Sequence, residues 1–453
     1  MKTHILSSFC AAALLGAVSL FAKSYPEPVR LRVDVDRAIL PSDTVERAVV
    51  KIALDCLRPP RRDLRPPVNL ALVIDRSGSM GGEKIAKARE AALEAVRRLA
   101  PDDIVALVAY DTHVQVLVPA RRVGDGRELE AAICRIEAGG NTALYGGVTR
   151  GAGEVRRHIE DGRYVNRVIL LSDGLANVGP SSPEELGRLG HSLMKEGISV
   201  TTVGLGLGFN EDLMARLAQR SDGNTYFVEH SGDLPRIFAA ELGDVLNVVA
   251  RRVVIEIEFP AGVRPLCFVG REGAIRGQRA ELTLNQLYGG QEKFALVEVE
   301  VSPGRSGAER EIARARVSYE DALNQRSATV SAVRAVQFSG SREVVVKSAD
   351  LKVQADYAAN VMAVAKDRAV ELVDSGRKDE AAALLHQRAQ ELKVMGEVYR
   401  NSAVQQSAAA AAPEADRLER DGLDNAQRKA YRAESQQVKN QQASGGTSYL
   451  NRP

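Results

Sequence analysis

"LALVIDRSGSM", residues 70–80, is the stretch that decides the fold. Its five apolar residues, Leu70 to Ile74, make the unbroken run expected of a strand buried on both faces. The run stops at one carboxylate and two hydroxyls, Asp75, Ser77 and Ser79, on alternate positions around Gly78. Similar apolar runs follow at 103–110 (DIVALVAY), 114–119 (VQVLVP), 167–173 (RVILLSD), 198–206 (ISVTTVGLG) and 224–228 (NTYFV). Helical stretches separate most of them. In residues 82–100, for example, Ile85, Ala88, Ala92, Val96 and Leu99 share one face. Strands alternating with helices imply a mostly parallel, doubly wound α/β sheet over residues 66–246. Only a few residues, Asp111 and Thr112 among them, join the second and third strands, a hairpin-length link that makes one edge strand antiparallel.

In an open α/β sheet, ligands bind beyond the carboxyl ends of the strands, where strand order reverses. Asp75 ends the first strand and Asp173 the fourth. Two carboxylates brought together there repel unless they share a proton or a cation. Ser77, Ser79 and Thr142 (in GGNTALYGG, 139–147) add neutral hard oxygens. Such a donor set, without His or Cys, suits Mg²⁺ or Mn²⁺ better than Zn²⁺ or copper.

"DRSGSM", then "GGNTAL", then "LLSDG", in that order, resembles a von Willebrand factor type A domain with its metal-ion-dependent adhesion site. Asp75, Ser77, Ser79, Thr142 and Asp173 fill all five positions of that motif. The resemblance implies direct metal ligation by the three hydroxyls, with the Asp pair acting partly through water. It also implies one position open to an Asp or Glu of a partner protein. Arg76, Asn141 and Tyr145 are rim candidates by adjacency. In this family ligand capture can shift the last helix, here residues 233–246, which runs almost directly into the strand "RRVVIEIEF".

The flanks follow a strand period of two. "VRLRVDVD" and "AVVKIALDC" alternate within residues 25–60, as does "FALVEVEV" within 250–348. Two strands before the α/β unit and about five after it point to an α/β domain inserted in an antiparallel β-sandwich. Residues 352–400 read as a helical hairpin broken at Gly376, and 401–453 as a low-complexity linker and polar tail, the tail with room for one exposed helix before a disordered end. Residues 1–24 have the charge, apolar run and small terminal residues of a signal peptide; an uncleaved membrane anchor is the alternative. Export to a periplasm is the expectation, with secretion or membrane anchoring as alternatives. Of the cysteines beyond that segment, Cys56 and Cys267 are the candidate disulfide pair, with Cys134 buried and unpaired on a helix.

Charge and composition exclude other classes. Lys plus Arg (61) nearly balances Asp plus Glu (59), and aromatic residues make up only 4% with no Trp. Neither a nucleic-acid binder driven by bulk charge nor a base-stacking platform fits. No Gly-x-x-x-x-Gly-Lys loop supports nucleotide binding, and "GLGLG" (204–208) reads as a tight turn. Two further readings stay open. "SGSMG" (77–81) approaches a nucleophile elbow, which makes Ser79, Asp173 and His230 a candidate hydrolase triad. Alternatively, the metal serves structure alone, and the sandwich or helical tail does the binding.

Overall fold

The computed structural model describes residues 27–58 and 65–442; the expected signal peptide lies outside them. Three strands come first: β1 (Val29–Val35), β2 (Ile39–Pro41) and β3 (Glu46–Cys56). The α/β unit follows with β4 (Val68–Asp75), α1 (Glu83–Arg98), β5 (Ile104–Tyr110), β6 (Val114–Arg122), α2 (Arg127–Cys134) and α3 (Leu144–Arg156). It continues through β7 (Val165–Ser172), α4 (Pro183–Lys195), β8 (Ile198–Leu205), α5 (Glu211–Arg220), β9 (Thr225–Val228) and α6 (Leu234–Val245).

Its sheet has the order β6-β5-β4-β7-β8-β9, and only the β5–β6 hairpin is antiparallel. Every residue of β4 is buried, because its side chains alternate between two cores. Leu70, Leu72 and Ile74 join α1, α2 and α6, while Ala71 and Val73 join α3, α4 and α5. β4 has β5 on one side and β7 on the other, so strand order reverses at the carboxyl ends of β4 and β7.

The chain then returns to antiparallel strands: β10 (Val248–Glu258), β11 (Val263–Val269), β12 (Ala274–Arg276), β13 (Arg279–Tyr288), β14 (Glu292–Val301), β15 (Glu309–Asp321) and β16 (Arg326–Ser339). With the first three strands they form two sheets, β1-β3-β14-β11 and β12-β13-β10-β15-β16-β2. Val50 and Ile52 of β3 and Val297 and Val299 of β14 meet Ile255 and Ile257 of β10 and Ala315 and Val317 of β15 in one core. The α/β domain is thus inserted in a β-sandwich. A buried arginine spans the junction. Arg167 of β7 lies 3.6 Å from Glu241 of α6 and donates to Gln286 (3.0 Å) and Tyr288 of β13.

Helices α7 (Arg342–Lys347), α8 (Leu351–Asp374), α9 (Lys378–Tyr399), α10 (Ser402–Asp421) and α11 (Asn425–Lys439) follow in the described residues. α8 covers the outer face of the four-stranded sheet with Val353, Tyr357 and Val361. Between α8 and α9, Gly376 adopts φ +74°, the left-handed turn that a glycine permits.

The expected linker is instead the helix α10, and the helix of the tail, α11, is packed onto the protein rather than exposed. α11 is held mainly by charge. Arg428 and Lys429 pair with Glu211, Arg432 with Asp212 and Asp367, and Lys439 with Asp367. Among the described residues no helix is long and apolar enough to cross a membrane.

The expected Cys56–Cys267 disulfide is absent, and all three described cysteines are free. Cys267 is level with Glu298 of β14, which is level with Val49 of β3; Cys56 stands seven residues further along. That offset is about 23 Å, beyond the reach of a disulfide. Cys134 is exposed at the end of α2 rather than buried.

Candidate metal centre

Asp75 is fully buried at the tip of β4. Its Oδ1 accepts from the backbone N–H of Ser77 (2.8 Å) and its Oδ2 from the Ser172 hydroxyl (2.6 Å). Burial pushes this carboxyl above the ordinary range, and nearby Asp173 pushes it further; the two serines only partly offset this. A buried group of this kind gains from a nearby positive charge.

The chain turns over Gly78–Met80, anchored by the buried Met80, and so presents Ser77 and Ser79 beside Asp173. Ser79 donates to Asp173 Oδ1 (2.7 Å), and the two serine hydroxyls lie 3.1 Å apart. Asp173, buried at the end of β7, takes the ammonium of Lys84 on its other oxygen.

Thr142 comes from the loop before α3. Gly78 N–H donates to Gly140 O (2.9 Å) and Gly139 N–H to Arg76 O (2.7 Å), tying that loop to the first motif. Gly140 has φ +78°, and a Cβ there would stand 2.9 Å from Thr112 Oγ1, so the position requires glycine. Asn177 Oδ1 accepts from Thr142 N–H (2.8 Å), and Thr142 O accepts from Asn177 N–H (3.2 Å).

The three hydroxyls converge on one point. A Cβ built on Gly174 would lie 3.2 Å from Thr142 Oγ1, 3.4 Å from Ser79 Oγ and 3.9 Å from Ser77 Oγ. Ser77 and Thr142 are buried while Ser79 is exposed, so this space is walled on the protein side and open toward solvent. Two carboxylates stand against one ammonium. The residues therefore fit a small hard cation, by charge and by donor type.

All five motif residues are brought together, but the rim candidates are divided. Asn141 is exposed and Tyr145 half-buried at the start of α3. Arg76 is committed to an ion pair with Asp111 (2.9 Å), which draws the β5–β6 hairpin loop onto the first motif. The hydrolase geometry is not formed. Ser79 bonds directly to Asp173, where a triad needs an imidazole between them, and His230 is exposed. Sequence reasoning missed Lys84, Ser172 and Asn177. Only Ser172 carried a signal, a hydroxyl next to Asp173 in an otherwise apolar run.

Residues 69–240 match the family model of the von Willebrand factor type A domain. This segment is a von Willebrand factor type A domain. The uncharacterized protein sll0103 of Synechocystis is 28% identical over 272 residues, 57% of this chain and 63% of that protein. The uncharacterized protein YfbK of Escherichia coli is 28% identical over 231 residues, 50% of this chain and 40% of that one. The chain thus spans less than two thirds of either relative. A solved von Willebrand factor type A structure from Catenulispora acidiphila superposes with a TM-score of 0.65 at 17% identity, covering 88% of this chain and 91% of that one. That likeness concerns the fold, and it extends beyond the type A domain into the sandwich and helices. Domains of this type commonly mediate protein–protein interaction and metal-dependent binding, and the described geometry is compatible with both.

Proposed function

We propose that this protein is an exported, non-enzymatic binding module that captures an Asp or Glu of a partner protein through a divalent cation, Mg²⁺ or Mn²⁺. Ser77, Ser79 and Thr142 would hold the ion, while Asp75 and Asp173 supply negative charge. The observation that carries this reading is the convergence of three hydroxyl oxygens on the solvent-open space beside Gly174. Neutral ligands leave a bound cation electron-poor, so a carboxylate from outside gains strongly by completing its shell. Asn141 and Tyr145 would border the incoming side chain.

The first test is calorimetric titration with Mg²⁺ and Mn²⁺. One site per chain is expected, abolished in Asp173→Ala; equal heats in the wild type and this variant would refute the site. A second reading, a purely structural ion, is favoured by the burial of Asp75, which gains from a counter-charge whatever the function. It requires that partner capture persist when the site is destroyed.

Nucleic acid and nucleotides are not among the proposed ligands, in keeping with the near balance of charge. Contact with a membrane would require an uncleaved N-terminal segment. Export is supported by the character of residues 1–24. N-terminal sequencing of protein from a periplasmic fraction should begin after Ala22 or Ser24; recovery from the cytoplasm with Met1 intact would count against it.

A further inference from the structure

We propose that His386 of α9, with Asp416 and Glu419 of α10, forms a second metal site, suited to Zn²⁺ or a similar transition ion. The two carboxylates are three residues apart on α10 and so project from one face of it, toward His386. His386 Nε2 lies 3.4 Å from Asp416 Oδ1 and 3.6 Å from Glu419 Oε2. Ligands bonded to tetrahedral zinc at about 2.0–2.1 Å stand about 3.3–3.4 Å apart along the edges of the tetrahedron. The three ligand atoms all lie within 4.8 Å of one another, so a small rotation of an exposed carboxylate closes the remaining edge.

Alone, a histidine between two exposed carboxylates contributes little to stability. As ligands, the three form a one-imidazole, two-carboxylate set whose open side leaves the fourth position to water. The imidazole also separates this site from the centre beside β4. That centre offers only hard oxygens and suits Mg²⁺, whereas imidazole favours zinc and its neighbours.

The position has a structural consequence. Pro413 lies inside α10 and lacks the N–H that would bond one turn back, so the helix is weakened just ahead of Asp416. A metal shared by α9 and α10 ties the part of α10 beyond this proline to its neighbour. That part leads directly into α11, which grips the α/β domain through Glu211 and Asp212.

The test is calorimetric titration of the full chain with Zn²⁺ in saturating Mg²⁺, on the wild type, His386→Ala, Glu419→Gln and Asp173→Ala. One Zn²⁺ per chain is expected in the wild type and in Asp173→Ala, with affinity falling about tenfold or more in the other two. Co²⁺ should give the visible absorption of tetrahedral coordination, lost in His386→Ala. All three ligand residues are on the surface, so the substitutions leave the fold intact and circular dichroism verifies it. No stoichiometric Zn²⁺ binding by the wild type, or undiminished affinity in His386→Ala, would overturn the site.

Discussion

The ammonium of Lys84, in the first turn of α1, is bonded to one oxygen of Asp173, while Ser79 donates to the other. An internal cation thus sits at the carboxylate that ends β7, and it neutralises one of the two buried charges of the metal centre. Lys84→Met should destabilise the metal-free protein by about 1–3 kcal/mol. This is the low side for a broken buried pair, because Lys84 is one-third exposed. Mg²⁺ should recover part of the loss, since without the competing ammonium the variant binds the ion more tightly and is stabilised by it more than the wild type. Urea unfolding with EDTA and with Mg²⁺ measures both, and equal losses in the two conditions would separate Lys84 from the metal centre.

Gly174→Ala is the most selective change at the centre. The new methyl would take up the space that the three hydroxyls face, 3.2 Å from Thr142 Oγ1. Mg²⁺ affinity should fall about tenfold or more, whereas stability without metal should change by less than about 1 kcal/mol. Calorimetric titration beside urea unfolding shows whether the two effects separate.

Glu241 is fully buried on α6 and accepts from Thr201 (2.5 Å), Asn224 (2.8 Å) and Tyr226 (3.1 Å) while facing Arg167. Glu241→Leu leaves Arg167 uncompensated and three donors unpaired, a cost of about 3–5 kcal/mol. Glu241→Gln should cost clearly less. These bonds pin α6 to β8 and β9, so any displacement of that helix on ligand capture must break them. Thermal unfolding of both variants checks the order.

Asp244, three residues further along the same helix, is pushed up to about 6, first by burial and then by Glu241. A carboxyl whose folded value is raised holds its proton more tightly in the native state. Its contribution is therefore fully present below its ordinary value and is lost as pH rises through about 6. Between about pH 4 and 6.5 the wild type should lose on the order of 2–3 kcal/mol relative to Asp244→Asn, which lacks this titration. Urea unfolding of both proteins across that range measures the difference.

The α/β unit was legible because its signals are strong and local. The Leu70–Ile74 run is buried on both faces, and the short link from Asp111 to His113 permits only a hairpin. Five site residues were legible for the same reason, as they end strands or sit in glycine loops. The rest depends on partners distant in sequence. α11 has no broad apolar stripe to announce it; Arg428, Lys429 and Arg432 find their carboxylates on α5, more than two hundred residues away. Lys84 looked like any polar residue on a helix face until Asp173 was placed against it. The Cys56–Cys267 expectation failed on register, because β14 lies between β3 and β11 and this order cannot be read from strand periodicity.

Metal-bridged capture is tested most directly by recovering partners from the producing cells with the purified protein, in Mg²⁺ and in EDTA, beside folded Asp173→Ala and Gly174→Ala. The expected result is a partner held by the wild type in Mg²⁺, released by EDTA and missing from both variants, whose binding is lost when one of its own Asp or Glu residues is made neutral. Equal recovery by the wild type and the variants, unaffected by EDTA, would contradict capture at this centre and leave its ion a structural role.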